Sequence, residues 1–154
     1  MKRVIFLMAL SVAVMSCKGP AGQDSSGEVI DMTIAGMVSE PLEFEGKTVR
    51  FEGVIDHMCR HSGDKMRIVQ LDDSEMSLQV MLGDLMDEFR PEYEGSEILI
   101  TGTFRTQVLN MDELAQQDED HGCESTEEAL KLMAERGIDP NVRPYVELRN
   151  YTIR

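Results

Sequence analysis

His57-Met58-Cys59-Arg60-His61 sets three soft-ligand side chains two residues apart, and His121-Gly122-Cys123 repeats a His-x-Cys unit much further along the chain. These two stretches hold all three histidines and, Cys17 apart, every cysteine. Imidazole nitrogen and thiolate sulfur are the donors that tetrahedral zinc takes in any mixture. On a regular strand the alternation of side chains would aim His57, Cys59 and His61 at one face. Neither spacing matches a zinc finger or a CxxC ribbon, so a site formed by all five residues depends on the fold bringing the two segments together. Four protein ligands would close such a site for a structural or carrier role, whereas three and a water would leave room for Lewis-acid chemistry. Asp120 and Glu124 flank the second motif. They can steady an imidazole from behind or act as a base, or serve simply as solvated charges in an acidic stretch.

Two weaker signals lie nearby. Met58 and Met66 sit close to the first motif, and thioethers favour Cu(I), so copper is an alternative to zinc. Methionine also fills irregular cores, and Met66, Met81, Met86 and Met133 occupy periodic apolar positions. Met58 points away from His57 on a regular strand. Arg60, Lys65 and Arg67 form a small basic cluster that can hold an anion or balance Asp56, Asp64, Asp72 and Asp73. The chain contains no nucleophile elbow, phosphate-cradling glycine loop or HExxH, so nothing speaks positively for an enzyme and no catalytic residue is assigned.

The start of the chain sets the compartment. Lys2 and Arg3 precede an apolar run, Val4 to Val14, too short to span a bilayer comfortably, and Val14-Met15-Ser16 leads into Cys17. This pattern resembles a bacterial lipobox. The resemblance implies that residues 1–16 are a lipoprotein signal peptide and that Cys17 is lipidated with palmitate-type acyl chains, which anchor the chain to a membrane. Lys18, where an inner-membrane retention signal would carry Asp, implies the outer membrane ahead of the inner. Residues 17–27, rich in Gly, Ser and Pro, read as the lipidated Cys and a flexible tether, and residues 28–154 as the domain. Cleavage removes two positive charges, Lys2 and Arg3, and takes the net charge from −14 to −16. Such an acidic domain disfavours nucleic acid, which needs a basic stripe to displace its counterions.

An oxidising cell envelope opens an alternative for the same residues. Cys59 and Cys123 would form a disulfide there, stapling the segment that carries the second motif and removing the thiolates a metal needs, or would act as a redox-active thiol pair.

The remaining sequence must supply the frame. Glu28 to Ser39 reads as a short helix stopped before Pro41. Thr48 to His61 alternates β-branched or aromatic residues with charged ones, with Val49, Phe51, Ile55, His57, Cys59 and His61 on one parity. Ser62-Gly63-Asp64 makes a turn, and Met66–Leu71, Met76–Leu82, Glu97–Phe104 and Tyr145–Ile153 read as four more strands, with a helical turn over Asp84–Phe89. Residues 110–144 are helical in pattern, with a capping box at Ser125-Thr126-Glu127-Glu128 and a stop at Gly137.

Three strands, a short helix, a fourth strand, a helical insertion (110–144) and a fifth strand give a β-barrel, α+β by content: a five-stranded OB-fold. Leu42 to Phe104, with Gly46-Lys47-Thr48-Val49, Phe51-Glu52-Gly53 and Glu94-Gly95 to Gly102, resembles exported bacterial OB-fold lipoproteins. That resemblance implies that Gly53 marks the bend where the first strand coils around the barrel. It also places here that group's His-x-Cys-x-His-Ser-Gly stretch, ending at Ser62 and Gly63, and its later His-Gly-Cys. The expectation is a lipid-anchored envelope module binding or sensing a soft metal through His57, Cys59, His61, His121 and Cys123. A disulfide-stapled OB-fold that binds an oligosaccharide, a peptide or a partner protein comes second. Single-stranded nucleic acid is third, given the charge and only eight aromatics.

Overall fold

The computed structural model describes residues 28–59, 63–109, 127–139 and 141–154. Cys17, Arg60, His61, His121 and Cys123, with the signal peptide and tether, lie outside these described residues. Among the described residues no helix is long and apolar enough to cross a membrane.

The domain is mostly sheet. Its strands are β1 (Val29–Asp31), β2 (Thr48–Met58), β3 (Lys65–Gln70), β4 (Asp73–Met81), β5 (Glu97–Val108) and β6 (Val142–Ile153). Among the described residues the α-helices are α1 (Ile34–Ser39), α2 (Pro41–Phe44) and α3 (Glu127–Glu135). All five anticipated strands are present, and the expected count of five becomes six among the described residues through β1, which pairs in parallel with Thr48–Arg50 of β2. Three residues ahead of a helix carry no readable alternation, so Glu28 to Ser39 splits into a strand and a helix where one helix was expected. The short helix expected over Asp84–Phe89 is a 3-10 turn at Gly83–Glu88. β5 runs four residues further than expected and β6 starts three earlier. The connection between them is therefore shorter than residues 110–144, and Leu109 N–H already donates to Asn141 O at 2.9 Å.

Strand pairing closes a ring. β2 pairs with β3, β3 with β4, β4 in parallel with β6, β6 with β5, and β5 back with β2. Closure is possible because β2 changes partner along its length. Thr48–Val54 pairs with β5 and Val54–Met58 with β3. Gly53 sits at that change, and a Cβ there would stand 2.4 Å from Ile68 Cγ2 and 2.6 Å from the Val69 carbonyl oxygen. Only a residue without a side chain lets the two strands come so close.

Inside the ring lie Val49, Phe51, Ile55, Met66, Ile68, Leu78, Val80, Ile98, Ile100 and Phe104, all buried. Phe104 meets Phe44 of α2 edge to face, with ring centroids 6.2 Å apart. α3 buries Ala129 and Met133, and packs on β4 and on α1, whose buried face is Ile34, Met37 and Val38. The N-terminus of α1 is capped by Thr33, whose hydroxyl accepts the Gly36 N–H at 3.1 Å. Thr33→Ala should lower the unfolding free energy by about 1 kcal/mol in chemical denaturation, the usual worth of such a cap.

Candidate functional site

β2 delivers the first motif, and a local irregularity decides how. The alternation that buries Val49, Phe51 and Ile55 does not continue to His57. The β2–β3 register shifts between Ile55 and His57, so that Ile55 lies opposite Ile68, His57 opposite Arg67 and Met58 opposite Met66. The extra residue is a β-bulge, and it exchanges the two faces of the strand beyond it. Met58 turns into the core, 7% exposed, and the His57 side chain stays 32% exposed. The expectation that His57 continues the buried parity of Val49, Phe51 and Ile55 is thereby corrected. A bulge placed by cross-strand packing leaves no mark on the spacing of apolar residues in one strand.

Cys59 follows directly on β2 and is 3% exposed. Its N–H donates to Lys65 O at 3.0 Å, and its carbonyl accepts the Gly63 N–H at 2.9 Å. Gly63 adopts a positive φ of 69° in this turn, which a side chain would resist. Leu82 N–H donates to Asp64 O at 2.7 Å and ties the turn to the end of β4. Asp64 Oδ1 is buried and has no hydrogen-bond partner among the described residues.

The composition gives no hint of the residue that faces His57. Glu94 sits in the turn before β5, held there because Ile55 N–H donates to Ser96 O at 3.0 Å and Gly95 N–H to Ile55 O at 2.7 Å. Its Oε1 accepts the Met58 N–H at 2.9 Å and lies 3.6 Å from His57 Nδ1. At 3.6 Å the carboxylate lies beside the imidazole but beyond a direct hydrogen bond to it. The partners are 36 residues apart in sequence, beyond the reach of any local pattern. Glu94→Ala should lower stability by about 1 to 2 kcal/mol and Glu94→Gln, which keeps an acceptor, by less, as read by denaturant unfolding.

Of the basic cluster, Arg67 is taken up by Asp56, whose Oδ2 accepts from its Nε at 2.7 Å. That is the charge-balancing role. Among the described residues no three His, Cys, Asp or Glu side chains converge as a metal site. The structure thus places His57 and Cys59 at one strand end, while His61, His121 and Cys123 fall outside the described residues.

No protein-family model matches the chain, and no curated protein sequence matches it. Solved structures with a similar fold exist. One is the telomere capping protein Ten1 from Saccharomyces pombe, 11% identical, with a TM-score of 0.42, over 83% of this chain and 81% of that one. The S. pombe Stn1–Ten1 complex matches at 13% identity and a TM-score of 0.40, over 87% and 81%. A putative aspartyl-tRNA synthetase from Leishmania major Friedlin matches at 16% identity and a TM-score of 0.44, over 93% of this chain and 23% of the other. All three TM-scores lie below 0.5, so the fold rests on the strand pairing itself.

Proposed function

We propose that this chain is an OB-fold binding module, held in the cell envelope by a lipid on Cys17, whose ligand is a soft metal ion. Zinc is favoured over copper, since Met58 is turned into the core and does not offer its thioether to the motif. The fold reading is supported by the order of the closed ring. Counted from β2, its strands run first, second, third, fifth, fourth and back to the first, with the third and fifth parallel. That is the Greek-key order of an OB barrel, with β1 added outside it.

One observation carries the functional reading. OB barrels take ligands on the face of their second and third strands, between the loop joining strands one and two and the loop joining strands four and five. Here the His57-Cys59-His61 motif runs from β2 into the β2–β3 turn, and His121 and Cys123 belong to the β5–β6 connection. By chain order alone, the two stretches that hold all the histidines and all the cysteines but Cys17 belong to the connections that correspond to those two loops. At the first of them His57 and the buried Cys59 supply one imidazole and one thiol, and a complete site needs further ligands from the remaining His and Cys residues of the two stretches.

Metal analysis of the protein purified without chelator tests this directly. About one zinc per chain, and a melting temperature that falls on adding EDTA, are the expected results. Absence of metal after zinc reconstitution contradicts the reading.

The burial of Cys59 favours one second reading. A sulfur shielded from water at a strand end is well suited to a Cys59–Cys123 disulfide, with the outer face of β3 and β4 left for an oligosaccharide, a peptide or a protein partner. Single-stranded nucleic acid fits less well. The net charge is −14, and Arg67 on that face is already bound to Asp56.

A further inference from the structure

A cleft of about 670 Å³ opens away from the β2–β3 turn, where the end of β1 meets the β3–β4 turn across the middle of β2. Its size is that of an ordinary small-ligand pocket. Met32, Phe51, Leu71 and Leu99 give it apolar walls. Leu71 stands at the tip of the β3–β4 turn, 47% exposed.

The charges around the cleft are unequally matched. Arg50 is committed to Asp31 through two bonds, Nε to Oδ1 at 2.6 Å and Nη2 to Oδ2 at 2.7 Å. Glu52 is met by Arg154 at 2.5 Å. Asp72 has no cationic partner among the described residues, and its Oδ1 accepts only the Gln70 side-chain amide, at 2.9 Å. Gln70 is itself fixed, because its Oε1 accepts the Ala35 N–H at 3.0 Å. A neutral amide therefore holds an uncompensated carboxylate in place beside an apolar wall. Asp72 repels small anions, and the one guanidinium on the wall is turned onto Asp31.

We propose that this cleft binds a small organic cation, an alkyl- or arylammonium whose apolar body lies on Leu71 and Leu99 and whose charge meets Asp72. The acidic domain as a whole raises the local concentration of such cations. This site is separate from the His/Cys motifs, and its failure leaves the metal reading untouched.

Methyl-labelled protein titrated with hexylammonium, hexanol and hexanoate at neutral pH provides the test. Hexylammonium should shift the Leu71 and Leu99 methyl resonances saturably. Hexanol should bind the same methyls about fivefold more weakly, the worth of an exposed charge pair, and hexanoate should not bind. Asp72→Asn, on the surface and harmless to the fold, should reduce hexylammonium binding to the level of hexanol. Three results would each overturn the proposal: equal binding of hexanol and hexylammonium, an Asp72→Asn variant that binds hexylammonium as the parent does, or no saturable shift at Leu71 and Leu99.

Discussion

Cys59→Ser should empty the protein of metal, lowering zinc content from about one per chain to near zero in samples purified without chelator. A thiolate is a strong zinc donor and a serine hydroxyl a poor one, so an intact backbone does not rescue the site. The substitution also leaves a hydroxyl at a position only 3% exposed, which by itself costs roughly 1 to 3 kcal/mol. Metal loss and stability loss must therefore be separated. In EDTA the Cys59→Ser and parent proteins should differ only by that burial cost, and in zinc by considerably more. His121→Ala should behave alike, with a smaller penalty in EDTA. Equal destabilisation of Cys59→Ser with and without zinc would show that Cys59 serves packing alone.

A second large effect is expected at Gly102, where the ring is tightest. β5 and β6 slip register between Thr101 and Gly102, and a Cβ at Gly102 would lie 2.4 Å from the Glu147 carbonyl oxygen and 2.4 Å from Val146 Cγ1. The carbonyl is backbone inside a paired strand and cannot swing aside as a side-chain end can. Gly102→Ala should accordingly cost about 3 kcal/mol, with a fall of about 10 °C in Tm. Gly53→Ala should be of similar size, since one of its two close neighbours is also a carbonyl oxygen. A Tm within about 2 °C of the parent for both variants would mean that the strands do not approach so closely.

What the sequence reveals of this architecture follows from the range of each interaction. Val49, Phe51 and Ile55 alternate with charged residues because one face of β2 is in water, and that periodicity is local. So are the turn glycines and the apolar face of α3, with Ala129 and Met133 inward. β1 escapes notice because three residues cannot display a period. The bulge at Asp56–His57 escapes because it is set by β3, across the sheet. Glu94 is brought to His57 by a turn 36 residues later, and Asp72 gains its interest only where β1 closes one side of a cleft. The His and Cys stretches are legible as chemistry because those residue types are few and clustered. Whether they converge depends on the fold of the whole chain, which no spacing within either stretch encodes.

That convergence is best tested by native mass spectrometry of the purified protein, never exposed to chelator, before and after thiol alkylation. If the two motifs share one soft-metal site, each chain carries one zinc, and stripping it makes both Cys59 and Cys123 available to the alkylating agent. A chain without metal, two hydrogens lighter than its sequence requires and inert to alkylation, would contradict that account and identify the cysteines as a disulfide.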